Sequence, residues 1–463
     1  MSPANSRGLT PLRAAREALA GRDAWLVGGA VRDRLLGRPT DDLDISLAGD
    51  PRPAARAIAR ATGGTAFQLS GAFGAWRVVG PGHTWHVDLV ELRDDDIAAD
   101  LAARDFTINA MAEPLAGGPV LDPHGGRADL EARRVRMVSC GALAEDPLRT
   151  LRAIRLVTEL DLTLDAETGR AVAAHAPAID DVAPERVFGE LKRVVTAPRA
   201  RTGLSLMERH GLMAAVLPEL LALKGVEQNV FHHADVYDHT LEVLDAVADL
   251  ERGAEGDAIA GILAEPLSDE LTKGGGMRFA ALLHDAAKPA TRARRPDGRV
   301  TFVGHDAAGA DLARGVLRRL RASQRLTDYV AALTLHHLRL GFLVHEQPLD
   351  RRSVWRYLRA TAPYSREVTI FTVADRLATR GRNADEAIAA HVALAHEMLG
   401  HALADAPRPP LVRGDELARE LGIAPGPRLG ELLARLEEDR FAGEIATRDD
   451  AIRRARELVG SDG

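Results

Sequence analysis

Two aspartates one residue apart, Asp42 and Asp44, are the side chains of this 463-residue chain whose spacing most directly implies chemistry. They lie in DDLDISL, which alternates polar and apolar residues as a strand does, so both carboxylates leave one face. Neighbouring carboxylates repel unless a divalent cation neutralises them, and ligation by oxygen alone favours Mg²⁺ shared with substrate phosphates. A third carboxylate on a neighbouring strand would complete a two-metal clamp for in-line phosphoryl or nucleotidyl transfer. Asp88 in HVDLVEL is the best-placed candidate for that third carboxylate.

A glycine pair precedes the two aspartates. Gly28 and Gly29 end the apolar run AWLVGG. The next residues, AVRDRLLG, have a helical spacing that stops at Gly37. At such a junction the backbone N–H groups can approach a phosphate closely, and the helix N-terminus points at the anion. Arg32, one turn into the helix, could reach the same phosphates. A lone Gly-Gly or Asp-x-Asp is usually an ordinary turn or loop, so the prediction depends on their combination in this order.

The sequence pattern around these residues predicts both strands and helices, and so a mixed α/β region over the first 140 residues. AWRVV and TWHVDLVEL read as two strands joined by a hairpin at GPGH. From Glu145 onward the pattern is helical. Within residues 250–276, GAEGD, EPLSDE and KGGGM predict surface loops, and RARRPDGRVTF predicts a turn or small hairpin. The Pro-rich residues 404–414 predict a linker before a last helical piece.

Composition narrows the class of protein. The chain contains a single cysteine, Cys140, so no disulfide can form within it. No apolar run reaches the roughly 18 residues of a membrane span, and the N-terminus lacks an apolar signal core. A cytoplasmic protein with no membrane partner is therefore expected. The net charge of −7 argues mildly against a surface coated in basic residues for nucleic acid.

With these features in place, residues 26–47 resemble the signature of class II tRNA nucleotidyltransferases, the CCA-adding enzymes, and of their bacterial poly(A) polymerase relatives. ARDFTINAMA resembles the second motif of that family, which implies that Arg104 and Asp105 help to select ribose and hold the triphosphate. The family usually has a second Arg where this chain has Ala103. LDPHGGRADL resembles the third motif, thought to couple head and neck, and PERVFGEL resembles the fifth.

A stripe of four charged residues lies in EDPLRTLRAIR, which is similar to the nucleotide-recognition helix of the family. Asp146, Arg149, Arg152 and Arg155 recur every three residues and so share one side of a helix. On an isolated helix this would be a solvated charged face. The resemblance implies that Asp146 and Arg149 read the Watson–Crick edge of the incoming base, while Arg152 and Arg155 support the site and its phosphates.

The interval ELRDDDIAADLAA is short where full CCA-adding members of the family carry a longer flexible loop. That loop is associated with the switch from C to A addition. Its absence resembles the CC-adding branch, whose members leave the last A to a separate A-adding enzyme. A short loop could also be lineage drift, so full CCA addition stays the expected activity and CC addition the alternative.

A second set of metal-ligand residue types lies in the second half of the chain. Its order (His, His-Asp, His, His, Asp) resembles the HD metal-dependent phosphohydrolase superfamily, which implies a divalent metal such as Mg²⁺, Mn²⁺ or Ni²⁺. The metal could serve phosphatase or 2′,3′-cyclic phosphodiesterase chemistry, or be mainly structural. His232 and His233 are expected at the surface. The ligands are predicted to be His239, His284, Asp285 and Asp375, with His305 and His336 as further candidates.

The resemblance covers nearly the whole chain and implies an α+β fold. An N-terminal nucleotidyltransferase head with a small mixed sheet (1–140) would precede an all-α neck and body (141–225), an all-α HD domain (226–403) and a helical tail (404–463). The implied activity is template-independent addition of CCA to the tRNA 3′ end from CTP and ATP, with Mg²⁺ in the head. The alternative functions are a poly(A) polymerase and an HD phosphohydrolase with an RNA-binding head.

Overall fold

The computed structural model describes residues 10–70, 74–93, 96–228, 234–380, 384–405 and 409–461. His232 and His233 lie outside the described residues. The chain divides into two compact units, Met1–Val216 and Leu217–Gly463. Within the described residues, no helix combines the length and the apolar character needed to cross a membrane.

The first unit contains a sheet followed by helices. Its elements are α1 (Pro11–Ala18), β1 (Ala24–Val27), α2 (Gly29–Leu35), β2 (Asp42–Leu47), α3 (Arg52–Thr62), β3 (Thr65–Ser70), β4 (Ala75–Val79), β5 (His86–Glu91), α4 (Ile97–Ala102), β6 (Ala112–Pro114), α5 (Gly126–Glu131), β7 (Arg134–Val135), α6 (Ala142–Glu145), α7 (Leu148–Leu160), β8 (Thr163–Leu164), α8 (Ala166–His175), α9 (Pro184–Thr196), α10 (Ala200–Arg209) and α11 (Leu212–Val216).

The strand order of the head sheet is β3-β4-β5-β2-β1-β6. Strands β2 and β5 are parallel and the other neighbours antiparallel, which confirms the small mixed sheet. In the parallel pair Asp44 lies opposite Asp88 and Asp42 opposite His86. Because side chains alternate along a strand, residues in register on parallel strands leave the same face, so the sheet itself brings the predicted carboxylates side by side.

Strand β2 has one buried apolar face and one exposed face that carries the two aspartates. Leu43, Ile45 and Leu47 are almost fully buried, whereas Asp42 and Asp44 alternate with them on the exposed side. Burial of the apolar residues fixes the register, since a slip of one residue would put both carboxylates into the core. Helices α7, α9 and α10 pack on one another after the sheet, as the helical pattern from Glu145 predicts.

The second unit is mostly helical. Its elements are α12 (Pro218–Leu221), α13 (Val236–Glu251), α14 (Asp257–Leu263), β9 (Pro266–Ser268), β10 (Leu271–Thr272), α15 (Lys273–Leu283), α16 (Lys288–Thr291), β11 (Ala293–Arg294), β12 (Val300–Thr301), α17 (His305–Arg319), α18 (Gln324–His336), α19 (Arg339–Leu343), α20 (Arg351–Thr361), α21 (Ser365–Leu377), α22 (Ala384–Ala404), α23 (Gly414–Leu421), α24 (Pro427–Ala442) and α25 (Arg448–Ser461). The α+β class is therefore confirmed, and β11 with β12 forms the hairpin predicted from RARRPDGRVTF.

The prediction of surface loops between residues 250 and 276 is wrong for KGGGM. These residues form the buried first turns of α15, and Thr272 caps the helix by accepting from the backbone N–H of Gly275. A Cβ on Gly276 would lie 2.5 Å from Leu267, and one on Gly274 would lie 2.3 Å from a carboxylate oxygen of Glu251. The glycines therefore allow close packing rather than a flexible loop.

Candidate functional site

A cleft in the first unit gathers most of the side chains predicted from the first motifs. It has a volume of about 300 Å³ and will be called the head cleft. Nine of the predicted residues line it: Gly28, Gly29, Arg32, Asp42, Asp44, Arg104, Asp105, Arg152 and Arg155. Five further residues complete the lining: Ala30, Asp33, Thr40, Asn109 and Arg193.

Gly28 lies where the loop after β1 meets the polar groups of the cleft. Its φ of 67° falls in the left-handed region that glycine adopts without strain. A Cβ at this position would lie 2.8 Å from Nη1 of Arg104 and 3.3 Å from Oδ2 of Asp44. The absence of a side chain therefore lets an arginine and a carboxylate approach the loop together.

The three predicted carboxylates are held differently. Oδ1 of Asp42 lies 2.7 Å from Nδ1 of His86. Both oxygens of Asp88 accept from Arg77, from Nε at 2.7 Å and from Nη2 at 2.6 Å. Asp88 is thus adjacent to Asp44 in the sheet but is bound by an arginine, and it is not among the residues that line the cleft.

Asp44 carries negative charge that its neighbours do not fully compensate. Although Asp44 keeps solvent-exposed surface, the protein packed around its carboxyl raises its pKa; the nearby carboxylates of Asp88 and Asp42 add to that rise, against the opposing effect of Arg104. Crowded carboxylates of this kind are what a divalent cation stabilises. The donor chemistry of this face therefore fits Mg²⁺.

Arg32 reaches the cleft from α2 but is not a free guanidinium. It donates to both oxygens of Asp33, at 3.0 and 2.9 Å, and to Oδ1 of Asn109 at 2.6 Å. Asn109 in turn donates from Nδ2 to Oδ1 of Asp105 at 3.0 Å. These bonds fix the guanidinium over Gly29, where a Cβ would lie 3.3 Å from Nη2 of Arg32.

Two arginines of α7 share one buried glutamate. Nε of Arg152 donates to Oε1 of Glu190 at 3.0 Å, and Nε of Arg155 lies 2.8 Å from Oε2 of the same residue. Nη1 of Arg152 also donates to Oδ2 of Asp105 at 3.2 Å. Burial alone would raise the pKa of Asp105, but Arg152 together with hydrogen bonds from Asn109 and the backbone holds it below its usual value. Asp105 therefore stays ionised.

The two residues expected to read the base lie beside the head cleft rather than in its lining. Arg149 donates to the backbone carbonyls of Ala142, at 2.9 Å, and Ala103, at 3.0 Å. Asp146 accepts from Arg186 of the PERVFGEL segment at 2.8 Å. Arg149 lines an adjoining cavity of about 190 Å³ that shares walls with the head cleft. The lining of that cavity is Arg93, Asp100, Ala103, Arg104, Asp105, Arg149 and Arg152.

Several described residues contact the predicted site without having been singled out from the sequence, among them Arg77, His86, Asp100, Asn109 and Glu190. Asp100 forms an ion pair with Arg104 at 3.0 Å, and it lies four residues earlier in the chain. This i,i+4 spacing could have been recognised in the sequence. Glu190 lies within PERVFGEL, so its segment was recognised but not its role. Asn109 lies within the recognised segment ARDFTINAMA, four residues from its partner Asp105, but its second partner, Arg32, comes from a distant part of the chain. Arg77 is marked by no motif, because it meets Asp88 only through the pairing of β4 with β5.

A second constellation, the histidine–aspartate cluster, lies in the second unit where α13, α15, α17, α18 and α21 converge. Two groups of ligand atoms each fall within 4.8 Å of one another. The first is His239, His284 and Asp375, and the second is Asp285, His305 and His337. Oδ2 of Asp285 also lies 3.2 Å from Nε2 of His284, so this carboxylate adjoins both groups.

The structure brings His337, rather than the predicted His336, into the cluster. Nε2 of His337 lies 3.3 Å from Nε2 of His305, whereas His336 is half-buried outside both ligand groups. The sequence did contain the signal for this choice. His337 continues the buried spacing Leu326, Val330, Leu333 and Leu340, which marks the core face of α18 and its extension.

The imidazoles of the cluster are oriented as metal ligands are. Nδ1 of His284, His305 and His337 donates to the carbonyl three residues earlier, at 2.9, 2.6 and 2.6 Å, which leaves each Nε2 facing the cluster. Burial and the nearby His284 lower the pKa of His337 to about 4, so it is neutral near pH 7. Burial opposes protonation of His284, but attraction to the carboxylates of Asp285 and Asp375 outweighs it and raises the pKa of His284 instead. A bound divalent metal would take the place of that proton, and imidazoles beside carboxylates are a donor set for such a metal.

Buried atoms without hydrogen bonds support the same conclusion. Nε2 of His284 and both oxygens of Asp285 are buried and make no hydrogen bond of normal geometry, although Nζ of Lys288 lies 2.6 Å from Oδ2. Burial opposes ionisation of Asp285, but His284 and Lys288 outweigh it and hold its pKa well below the usual range. Such a buried anion with unused lone pairs fits a bound cation.

Three family descriptions match the chain in order. The Poly A polymerase head domain matches residues 24–136, the probable RNA and SrmB-binding site of polymerase A matches residues 161–223, and the HD domain matches residues 236–380. The first covers the sheet and the part of the head cleft that the head contributes, and the third covers the histidine–aspartate cluster.

Similar proteins span nearly the whole chain. The A-adding tRNA nucleotidyltransferase of Deinococcus radiodurans is 38% identical over 92% of this chain and 94% of its own. The CC-adding tRNA nucleotidyltransferase of Thermus thermophilus is 35% identical over 93% of this chain and 92% of its own. The CCA-adding enzyme of Thermotoga maritima, solved with tRNA, shares the fold with a TM-score of 0.60 at 18% identity, over 97% of this chain and 94% of that one. This chain therefore belongs to the tRNA nucleotidyltransferase family.

Proposed function

We propose that the head cleft transfers a nucleotide from CTP or ATP to the 3′ end of tRNA and releases pyrophosphate. The observation that carries this proposal is the composition of the cleft. It combines two carboxylates on one strand face, Asp42 and Asp44, with a glycine loop and with arginines from both the head and α7. Acidic groups beside basic groups suit a reaction in which phosphate charge must be bound and redistributed.

Asp42 and Asp44 are the proposed ligands of Mg²⁺, with Asp88 as the third carboxylate. When bound, the cation would lower the pKa of the attacking 3′-hydroxyl and stabilise charge on the departing pyrophosphate. His86 orients Asp42, and Arg77 orients Asp88 through one hydrogen bond to each carboxylate oxygen. Each oxygen of Asp88 keeps a second lone pair that could face a cation.

The nucleotide is proposed to lie along the two adjoining cavities. Gly28, Gly29 and Arg32 would contact the phosphates, Arg104 and Asp105 the ribose and triphosphate, and Arg152 and Arg155 would support them. Asp146 and Arg149 would read the base: Asp146 would accept from the exocyclic amine of cytosine or adenine, and Arg149 would donate to the ring nitrogen beside that amine. Arg149 donates to two backbone carbonyls, which orient its guanidinium and leave further N–H groups for a base.

We propose that the chain completes only part of the CCA end, and that it adds CC. Strand β5 ends at Glu91 and α4 begins at Ile97, so residues 92–96 alone separate the strand of Asp88 from that helix. This interval leaves no room for the long loop associated with the switch to A. The full-length relatives from Thermus and Deinococcus are named for single stages, CC or A. The Deinococcus relative favours A addition as the second candidate.

The extension of a tRNA that lacks its CCA end, read at nucleotide resolution, tests this scope. With CTP and ATP together, CC addition predicts a product that stops at CC. Extension to CCA would contradict the single-stage proposal and restore full CCA addition. Extension only of a tRNA already ending in CC, and only with ATP, would identify the A-adding activity. Long tails of A would identify a poly(A) polymerase.

The histidine–aspartate cluster supports a second activity, a metal-dependent phosphohydrolase. The observation that favours it is the pair of adjoining ligand groups with buried, unbonded donor atoms. A divalent metal such as Mg²⁺, Mn²⁺ or Ni²⁺ held there would supply an activated water for cleavage of a phosphate ester. His239, His284, Asp285, His305, His337 and Asp375 are the proposed ligands.

The proposed domains follow the same division as the family resemblance: a head over 1–140, a neck and body over 141–225, an HD domain over 226–403 and a tail over 404–463. We propose a cytoplasmic location for the chain, because its proposed substrates, tRNA and nucleoside triphosphates, are found there.

A further inference from the structure

The contacts along the wall of the head cleft join into one continuous line, which will be called the nucleotide frame. In order it comprises Arg32, Asn109, Asp105, Arg152, Glu190 and Arg155. Four members have a role at the nucleotide in the proposed function: Arg32 and Asp105 would contact it, and Arg152 and Arg155 would support those contacts. The other two, Asn109 and Glu190, are the joints between them.

Asn109 links groups of opposite charge, and its amide suits that position. Its carbonyl oxygen accepts from Arg32 while its NH₂ donates to Asp105. A carboxylate in its place would repel Asp105, and an ammonium would repel Arg32. The side chain is also nearly buried, within the short helical turn Thr107–Asn109 that follows Asp105. Its two bonds therefore set the spacing between the arginine of α2 and the aspartate of the second motif.

Glu190 resolves a like-charge conflict on α7. Arg152 and Arg155 are three residues apart on one helix face, so their guanidinium groups are neighbours that repel each other. One oxygen of Glu190 accepts a hydrogen bond from Arg152, and the other forms an ion pair with Arg155 that lacks hydrogen-bond geometry. The carboxylate is nearly buried between α7 and α9. Without this charge the two arginines would separate, and Arg152 would lose one of its two anchors.

We propose that Asn109 and Glu190 are positioning residues that hold the nucleotide frame ready for the triphosphate. This inference rests on the proposed function, because it assigns the frame to the incoming nucleotide rather than to RNA. A guanidinium that is already oriented loses less side-chain freedom when a phosphate binds. Loss of either joint should therefore weaken nucleotide binding, for CTP and ATP alike, and leave the tRNA site unchanged.

The test compares Asn109→Ala and Glu190→Gln with Glu113→Gln in the full-length protein. Glu113 is a matched control, since it too binds two arginines, Arg16 and Arg34, but neither of these arginines lines the head cleft, whereas Arg152 and Arg155 do. Dissociation constants for CTP and for ATP are measured by calorimetry with Mg²⁺, beside KM for tRNA, kcat and the unfolding temperature. Asn109→Ser replaces Asn109→Ala if the alanine variant does not fold.

The expected result is a rise of about tenfold or more in both nucleotide dissociation constants for each joint variant, the size that loss of an oriented charged hydrogen bond produces. KM for tRNA and the result for Glu113→Gln should stay at wild-type values. The double variant should lose less than the product of the two single effects, because both act on Arg152 through Asp105 or directly.

Nucleotide affinities within twofold of wild type in folded joint variants would overturn the proposal. So would a loss of affinity that Glu113→Gln reproduces, since that would show a general effect of the fold. The binding measurement needs no RNA. If the wild-type protein fails to extend tRNA but binds CTP, the proposed function fails while the nucleotide frame is still tested.

Discussion

At the scale of single residues, Gly28 combines two constraints that mutation can separate. Its positive φ makes any side chain strained, by about 1–2 kcal/mol. Its contact with Arg104 and Asp44 leaves no space for a Cβ. Gly37 shares the first constraint, with a φ of 66°, but a Cβ there would meet nothing within 4 Å.

We therefore expect Gly28→Ala and Gly37→Ala to lower the free energy of unfolding by similar amounts, about 1–2 kcal/mol. Only Gly28→Ala should lower kcat/KM for nucleotide transfer strongly, because it displaces Arg104. Chemical denaturation and steady-state kinetics on both variants check this. Equal activity in the two variants would show that the space beside Gly28 is not needed.

The neighbouring histidines at 336 and 337 offer a second comparison at this scale. Nε2 of His337 faces Asp285 and His305, whereas His336 lies outside the cluster. His337→Ala should weaken binding of Mn²⁺ or Ni²⁺ by tenfold or more, an effect of the order seen when even the support of a ligand is lost. His336→Ala should leave the affinity unchanged, as measured by titration of the metal-free protein. The reverse pattern would restore the original assignment of His336.

These residues also show where the sequence was sufficient and where it was not. The motif residues Gly28, Asp42 and Asp44 carry their chemistry in local spacing, and they meet in one cleft. The engagement of Asp88 by Arg77 depends on pairing between β4 and β5, a contact that local spacing does not reveal. His337 was missed because the two adjacent histidines were not compared for their position relative to the buried face of the helix.

At the scale of elements, α5 supports the turn that carries Asn109. A Cβ on Gly126 would lie 2.2 Å from the carbonyl oxygen of Thr107, so the helix and the turn touch through their backbones. Asp129, fully buried on α5, accepts from Oγ1 of Thr107 at 2.6 Å and from Nε of Arg136 at 2.9 Å. The third motif therefore acts on the cleft by fixing the turn that follows Asp105.

Asp129→Asn should lower the free energy of unfolding by about 2 kcal/mol near pH 7. This is the usual effect of losing a hydrogen bond to a charged group. The effect stays at that size because the arginine partners can be hydrated by solvent. Burial raises the pKa of Asp129, but hydrogen bonds from Thr107, Arg136 and Arg134 outweigh that effect and hold the pKa below its usual value. A lowered pKa stabilises the fold above the unfolded-state value near 3.9, and that stabilisation is lost as pH falls through the folded-state pKa.

The stability of Asp129→Asn should accordingly depend less on pH below about 4 than that of the wild type. Urea unfolding at several pH values checks both effects. Asp161→Asn is the control, because Asp161 pairs with Arg133 and Arg199 at the exposed surface and should change stability little. Equal losses in both variants would contradict a special role for the buried carboxylate.

Elements were predicted from the sequence where periodicity and turn residues agree. Strands β2, β4 and β5 and helix α2 appear where alternation and helical spacing predicted them. The run KGGGM was misassigned because glycine is a loop residue by propensity. Its role in α15 follows from close approach of Leu267 and Glu251, which is a tertiary effect.

At the scale of the whole molecule, each compact unit holds one site with its own chemistry. The head cleft belongs to Met1–Val216 and the histidine–aspartate cluster to Leu217–Gly463. Oxygen donors and arginines characterise the first, and imidazoles with buried carboxylates characterise the second. The two chemistries should therefore be separable by mutation within one full-length chain.

The most direct test measures incorporation of labelled CMP into tRNA lacking its CCA end by the wild type, Asp44→Asn and Asp285→Ala. The account predicts a loss of about a thousandfold or more in kcat for Asp44→Asn, comparable to removal of a principal electrostatic group in other enzymes. It predicts near wild-type incorporation for Asp285→Ala, provided that its unfolding temperature shows a folded protein. Substantial incorporation by Asp44→Asn, or its loss in folded Asp285→Ala, would contradict the assignment of nucleotidyl transfer to the head cleft.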